Sequence, residues 1–176
     1  MNDNYAQSLV FDGSKIAITI LISIVLSACS DKSKPIINDS TSIEMSQLVC
    51  HSASNYKGRV VGDGHCVSLI KRCSGAPPTK LWRAGAPVLT SDLPPGTVIA
   101  TFKNNRYPSH TGHHAAIYIR HDENGIWVWD QWIGKPVHRR LIRTRTDNAS
   151  AGNTAQTYRV VLIEDTKSNN RYSKAN

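Results

Sequence analysis

The sequence predicts an α+β domain in which one short helix precedes an antiparallel sheet. Three observations support this class: an apolar stripe at helical spacing, five later segments rich in β-branched and aromatic residues, and turn residues between those segments. The chain has 176 residues, of which 40% are hydrophobic and 19% are charged. This length and composition favour one folded domain. They exclude a chain that is disordered throughout and one that crosses a membrane many times.

The short helix is predicted from Asp63 to Cys73. Asp63 is a candidate N-cap residue, and Gly75 follows the helix as a stop signal. Cys66, Ile70 and Cys73 recur at positions i, i+4 and i+7. This spacing places the three side chains in one stripe that faces the core.

The remainder of the domain is predicted to form strands. Each segment is rich in β-branched or aromatic residues, and turn residues precede several of them. The predicted strands are Gly96–Phe102, His114–Arg120, Gly125–Trp132, Val137–Ile142 and Tyr158–Ile163. The stretch 79–85, between the helix and the first strand, is predicted to be one helical turn or a loop.

The N-terminal segment has the pattern of an export signal. Lys15 precedes an apolar run of 11 residues, Ile16–Leu26. A membrane-spanning helix needs about 20 such residues, so the run suits the apolar region of a signal peptide better. It ends in Leu26-Ser-Ala-Cys29, which resembles a bacterial lipobox, where the cysteine becomes the lipidated first residue. A plain signal peptide or a core helix, with Cys29 incidental, remains an alternative.

These signals predict four segments along the chain. Residues 1–28 form a lipoprotein signal peptide, 29–45 a lipidated cysteine with a flexible tether, 46–165 the folded domain, and 166–176 a disordered tail. Ser30 rather than Asp follows Cys29, which by resemblance to lipoprotein sorting rules favours the outer membrane. The expected location is therefore the outer membrane, facing the periplasm, with the lipid on Cys29 as anchor.

Cys66 is the candidate nucleophile. At a helix start, the helix macrodipole and the free N–H groups lower the pKa of a thiol. His114, at the start of a strand, could supply the adjacent base. Asp130 lies on the next strand and, across a short hairpin, can sit beside His114 and fix its tautomer. Spacing alone leaves the alternative open that Cys66 is a buried structural cysteine and His114 a surface residue.

Six motifs around these residues resemble the second family of type VI secretion amidase effectors. Those proteins and their domesticated animal relatives are papain-like cell-wall amidases of the NlpC/CHAP superfamily. The motifs occur in the same order here: Gly64-His-Cys66-Val, Thr79…Trp82-Arg-x-Gly85-x-x-Val88, Gly96-Thr-x-Ile-Ala-Thr-Phe102, Arg106-Tyr107, His114-Ala-Ala-Ile-Tyr118 and Asp130-Gln-Trp132.

The resemblance implies an NlpC/CHAP-type fold, with the nucleophile helix packed on an antiparallel β-sheet. It also implies cleavage of stem-peptide or cross-bridge amide bonds in peptidoglycan, with Cys66 as nucleophile, His114 as base and Asp130 as the residue that orients the base. It spans residues 46–165, which become the predicted cysteine amidase domain. The chain departs from the family in its lipoprotein-like leader and in having His65. The leader leaves the delivery route and biological role open.

Two other functions remain open at this stage. One is a non-catalytic cell-wall-binding lipoprotein, although a binding module would have no need to retain Cys66, His114 and Asp130 together. The other is the same chemistry used as an antibacterial toxin, which would require an immunity protein as partner. The sequence does not decide which peptidoglycan bond is cut.

Four further residues are candidate contacts to the oxyanion or the substrate: Tyr56, Trp82, Gln131 and Trp132. A tyrosine in a place comparable to Tyr56 assists the oxyanion in some NlpC relatives, and the tryptophans could line a glycan cleft. The alternative for the tyrosine and the tryptophans is ordinary packing, because aromatic residues on strands usually serve the core.

No metal, cofactor or nucleic acid is expected. The spacing of the clustered histidines His110, His113 and His114 relative to Cys66 matches no standard zinc pattern. The chain carries 21 basic and 13 acidic residues, a formal charge of +8. The basic run Arg139, Arg140, Arg143 and Arg145 is expected to form a solvated face near anionic wall or lipid, since no nucleic-acid recognition motif occurs.

The cysteine positions also predict a disulfide. Cys66 and Cys73 would stand roughly 10.5 Å apart along a helix, whereas the Cα atoms of a disulfide lie within about 7 Å of each other. An exported protein meets oxidising conditions, so Cys50 and Cys73 are the expected pair. The alternative is that both remain unpaired, buried thiols.

Overall fold

An antiparallel sheet of seven strands carries one α-helix in residues 44–164, the part of the chain that this computed structural model describes. The helix, α1, spans Cys66–Ser74. The strands are Met45–Gln47 (β1), Arg83–Pro87 (β2), Val98–Thr101 (β3), Ala115–Asp122 (β4), Gly125–Trp132 (β5), Lys135–Arg143 (β6) and Tyr158–Glu164 (β7). The predicted signal peptide, the lipidated Cys29 and the disordered tail lie outside the described residues. Among residues 44–164, no helix is long and apolar enough to cross a membrane.

The predicted α+β class is confirmed, but the sheet is not a simple meander. Its order is β1-β7-β3-β4-β5-β6, and β2 also pairs with β7, so the last strand lies inside the sheet. The stretch 79–85 holds a single helical turn, as expected, and then the start of β2, which was not expected. No residue of β2 is β-branched. Gly85 instead permits a close approach, because a Cβ there would stand 3.0 Å from the side chain of Leu162.

Helix α1 begins at Cys66 rather than at Asp63. The N-cap residue is His65, whose side chain makes no capping hydrogen bond. The Asp63 carboxylate instead accepts hydrogen bonds from the His65 backbone N–H (3.0 Å) and the Ser68 hydroxyl (2.6 Å), which fixes the turn before the helix. Gly75 ends the helix as predicted, in the left-handed conformation with φ of 69°.

Two apolar clusters cover the two faces of the sheet. Leu69 and Ile70 of α1 are buried in the cluster that includes Ala115 and Ile117 of β4. The alternate residue Ala116 belongs to the other cluster, as the pleat of a strand requires. The helix is therefore seated on one face of the sheet, which fixes where its first residue lies.

A disulfide joins Cys50 to Cys73, with the two Cα atoms 5.3 Å apart. It ties the segment after β1 to the last turn of α1. Among the described residues, Cys66 is the one free cysteine.

We expect the double variant Cys50→Ser/Cys73→Ser to unfold at lower denaturant concentration than the wild type. A cross-link that closes a loop of this length stabilises a protein by about 2–4 kcal/mol, mainly by restricting the unfolded chain. Equilibrium denaturation with and without reductant measures the effect, and reductant should leave the double variant unchanged. Full alkylation of Cys50 and Cys73 in the unfolded, non-reduced wild type would contradict the pairing.

Candidate active site

Cys66 is the first residue of α1, and the side chain of Gln131 fixes the loop that leads into it. The side-chain oxygen of Gln131 accepts a hydrogen bond from the backbone N–H of Val61 (2.7 Å). Its amide group donates to the backbone oxygens of Val61 (2.9 Å) and His65 (3.0 Å). Gln131 is fully buried and both its N–H groups are used. This corrects the expectation that it contacts the oxyanion or substrate: it positions the loop before Cys66 instead.

The sheet brings His114 and Asp130 together. His114 directly precedes β4 and Asp130 lies in β5, and these two strands pair along their length. The Nε2 atom of His114 is 2.5 Å from Oδ1 of Asp130, whose side chain is completely buried. The backbone N–H of His114 donates to the Thr101 hydroxyl at 3.1 Å, which fixes the backbone position from which the His114 side chain extends. This arrangement leaves Nδ1 of the His114 ring to interact with the thiol.

The thiol and the imidazole shift each other's proton affinity. Burial opposes ionisation of the Cys66 thiol, but the hydrogen bond and positive charge of His114 outweigh it, so the pKa of Cys66 lies below its ordinary value. For His114, burial opposes the charged form. The hydrogen bond to Asp130 and the interaction with Cys66 outweigh that burial and raise the pKa of His114 to about 9. The thiolate–imidazolium ion pair is therefore favoured near neutral pH.

Tyr107 is a site residue that the sequence analysis did not single out. Its hydroxyl lies 3.7 Å from the Cys66 sulfur. Burial and the neighbouring thiolate raise the pKa of Tyr107 well above its usual range, so the phenol keeps its proton and can donate a hydrogen bond. The one signal for it in the sequence was the motif Arg106-Tyr107.

Trp82 and Tyr56 do not occupy their expected places. Trp82 is fully buried, donates its indole N–H to the Pro77 carbonyl (3.1 Å), and packs against Tyr107 at a ring-centre distance of 5.3 Å. Trp82 therefore supports the ring of Tyr107 and, because it is fully buried, is not accessible to a substrate. Tyr56 lines a separate depression with Arg59 and Arg72 that Cys66 does not share. Both expectations of a substrate or oxyanion contact are therefore corrected.

Trp132 lies beside Cys66 and His114. Its side chain is 39% exposed, and its ring centre is 6.4 Å from that of His114 in an edge-on arrangement. A cavity of about 830 Å³ on one side contains Cys66, Tyr107 and His110 in its wall. Another of about 440 Å³ contains Arg140, Ser150 and Asn153. His113, His114 and Trp132 line both, so the two cavities adjoin at His114, and we refer to them together as the groove.

The other clustered histidines have separate partners. The Nδ1 atom of His113 is hydrogen-bonded to the Thr101 hydroxyl at 3.0 Å, and its ring packs edge-on against His110. Within residues 44–164, no group of three or more histidine, cysteine or acidic side chains could hold a metal ion.

Arg140 does not lie on a solvated face, which corrects the expectation for the basic run. Its side chain is 18% exposed, and its Nη1 donates to Oδ2 of Asp130 at 2.7 Å. The neighbouring Arg139 is exposed and lies over the ring of Trp127. Asp130 is therefore held between Arg140 and His114.

Comparison with known proteins identifies the family. The family model described as "Domesticated amidase effector 2" matches residues 40–160. The chain belongs to this family. The match includes Cys66, His114 and Asp130, and it confirms the resemblance seen in the sequence motifs.

Two relatives and one solved structure agree with this domesticated amidase effector 2 assignment. A type VI secretion amidase effector 2 protein from Salmonella typhi is 47% identical over 90 residues, 47% of this chain and 68% of that protein. Domesticated amidase effector 2 from Ixodes scapularis is 39% identical over 104 residues, 53% of this chain and 70% of that protein. The solved type 6 secretion amidase effector 2 has a TM-score of 0.60 and 34% identity, covering 67% of this chain and 96% of its own. The papain-like arrangement of helix and sheet is thereby confirmed.

Proposed function

We propose that this protein is a cysteine amidase that cleaves amide bonds in the peptide part of peptidoglycan. The observation that carries the proposal is the arrangement of Cys66, His114 and Asp130. The carboxylate holds Nε2 of the ring at 2.5 Å, which turns the other ring nitrogen toward a free thiol at a helix start. The relatives are named amidase effectors, which supports the same reaction class.

The reaction proceeds in two halves. The Cys66 thiolate attacks the amide carbonyl, and the C–S bond forms. The His114 imidazolium then gives its proton to the leaving nitrogen as the C–N bond breaks, leaving a thioester. Water attacks the thioester while His114 takes its proton, and the C–S bond breaks to release the acid and restore the thiolate. Asp130 keeps the ring in one tautomer throughout.

Two donors are placed to stabilise the oxyanion. The first N–H groups of a helix have no partner within it, so the backbone N–H of Cys66 is available at the start of α1. The protonated hydroxyl of Tyr107 lies 3.7 Å from the sulfur of the same cysteine. Donors fixed in advance at a developing charge contribute several kcal/mol to catalysis, by typical values.

We expect Tyr107→Phe to lower kcat by about 10- to 100-fold, because it removes one hydroxyl donor and leaves the ring on Trp82 in place. Tyr56→Phe is the matched control, and it should change kcat by less than about threefold because Tyr56 does not line the groove. Initial rates of muropeptide release measure both. Equal losses in the two variants would remove Tyr107 from the oxyanion role.

The substrate assignment is tested by digesting purified sacculi with the full-length protein and determining the masses of the released muropeptides. New peptide ends with intact glycan masses are expected, and chelation of divalent ions should not change the rate. Products cut only between sugars, or no products from a folded protein with an alkylatable Cys66, would exclude the proposal.

The cellular setting is a further part of the proposal. We infer that a lipid on Cys29 anchors the enzyme to the outer membrane, facing the periplasm, because a short apolar run ends in small residues and a cysteine. Fatty-acid labelling that is lost in Cys29→Ser would support the anchor, and an unlabelled wild type would exclude it.

Use of the same activity as an antibacterial toxin is the second candidate, and the word "effector" in the names of the relatives favours it. An immunity protein would then be the partner. Export of the enzyme into the periplasm of a sensitive bacterium should cause lysis that a gene adjacent to its own prevents; survival without that gene argues for remodelling of the producer's wall.

A further inference from the structure

Both oxygens of the buried Asp130 carboxylate are occupied by protein groups. Oδ1 accepts from His114 Nε2 (2.5 Å) and from the Gln131 backbone N–H (2.7 Å). Oδ2 accepts from Arg140 Nη1 at 2.7 Å. The carboxylate is completely buried. Within residues 44–164, its ion-pair partners are His114 and Arg140. A buried carboxylate without a cation would be costly.

The second terminal nitrogen of the Arg140 guanidinium, Nη2, binds the segment that lies against His114. Nη2 donates to the backbone oxygen of Gly152 at 3.2 Å and to the Asn153 side-chain oxygen. A Cβ at Gly152 would stand 2.8 Å from Cβ of His114, so this backbone lies directly on the histidine. One guanidinium therefore joins the carboxylate that holds the ring to the backbone that packs against it.

Three other titratable groups near the ring, Tyr107, Tyr158 and His113, favour their neutral forms. Tyr107 and Tyr158 both have a pKa raised by burial, so each phenol remains neutral. His113 has its pKa lowered, with burial as the main cause. His138, on β6, packs its ring against Trp132 and is hydrogen-bonded to the Pro136 oxygen.

We propose that Arg140 is a positioning residue for Cys66 and His114: it pairs with the buried Asp130 carboxylate and keeps His114 seated against the segment around Gly152. This inference rests on the thiolate mechanism proposed above. With Arg140 present, its positive charge balances the negative charge of the Asp130 carboxylate. The charge of the His114 imidazolium then acts on the Cys66 thiolate. Without Arg140, the imidazolium must neutralise the buried carboxylate, and the thiolate loses its counter-charge.

The experiment measures the pH dependence of iodoacetamide alkylation at Cys66, followed as the mass of the Cys66 peptide from the full-length, folded protein. In Arg140→Met the midpoint of alkylation should rise by about one pH unit or more, as expected when a nearby opposite charge is lost. Turnover measured at a pH below the wild-type midpoint should fall at least about tenfold, since in that range each pH unit in the midpoint is a tenfold change in thiolate population. A purely structural role would leave the midpoint in the folded protein unchanged.

Arg140→Lys and Arg139→Met complete the test. Lysine keeps the charge beside Asp130 but cannot bridge two partners as a guanidinium does, so its midpoint should match the wild type while turnover falls at least about threefold. Arg139 neighbours Arg140 on β6 and lies over Trp127 much as Arg140 lies over Trp132, at 5.5 and 5.3 Å. Arg139→Met should therefore change neither quantity.

A folded Arg140→Met protein with the wild-type alkylation midpoint overturns the inference. If that variant does not fold, Arg140→Lys decides, and wild-type turnover in it also overturns the inference. Alkylation needs no substrate, so these outcomes are distinct from failure of the proposed function, which would appear as muropeptide release that survives the loss of the Cys66 thiol.

Discussion

Cys66→Ala is expected to reduce the release of cut muropeptides from sacculi by at least about 1,000-fold. The variant removes the atom that bonds to the substrate carbon, and what remains is binding and oxyanion stabilisation alone. Cys66 forms no disulfide and is only half-buried at the helix start, so the fold should persist without its sulfur. Mass analysis of the digestion products measures the loss, and circular dichroism checks the fold.

The pH profile and a neighbouring histidine sharpen this prediction. Wild-type activity should rise as the Cys66 thiol ionises, below its ordinary pKa, and fall as the His114 imidazolium loses its proton near its pKa of about 9. His114→Ala should cost about as much as Cys66→Ala. His113→Ala is the matched control and should change activity by less than about threefold. A Cys66→Ala protein that still cuts sacculi would exclude the thiol mechanism.

Asp130→Ala should damage both activity and stability. The His114 ring loses the group that fixes its tautomer, an effect of about 100- to 10,000-fold in comparable triads. Arg140 also loses the carboxylate at 2.7 Å and is left mostly buried without a counter-ion. Breaking a buried ion pair costs about 3–5 kcal/mol. Asp130→Asn should retain more stability than alanine, with a similar loss of activity.

Asp122 provides the comparison for Asp130. It also pairs with an arginine, Arg120, at 2.6 Å, but the arginine is exposed to solvent and Asp122 is partly so. Exposed ion pairs contribute little. Asp122→Asn should therefore leave activity and the denaturation midpoint close to those of the wild type. Denaturant titration and sacculus digestion of both variants test the contrast, and equal effects at the two positions would contradict it.

The sequence predicted those parts of the site that depend on local periodicity. His114 and Asp130 could be placed together because residues alternate along paired strands and the connecting hairpin is short. The same alternation places Gln131 on the face opposite to Asp130. The expectation of a substrate contact for Gln131 is therefore wrong, and its side chain reaches the loop before Cys66 instead.

Features that depend on distant packing could not be predicted in this way. Tyr107 lies in the connection between β3 and β4, where no period fixes a side chain, and its position depends on Trp82 from another part of the chain. A run of arginines suggests an exposed face, so the sequence predicts that Arg140 faces solvent. Its partner Asp130 follows only from the pairing of β6 with β5. Strand β2 has no β-branched residue, so the sequence does not predict it.

Asp130 and Gln131 are consecutive residues of β5. The first holds the imidazole of His114, and the second holds the loop that precedes Cys66. A one-residue slip of this strand would exchange their faces and misplace Cys66 and His114 together. The length of the two-residue turn between β4 and β5 is therefore a fixed quantity for any redesign of this scaffold. Insertions are better tolerated in the exposed loop at 145–149, after β6, where no such pair of anchors depends on the count.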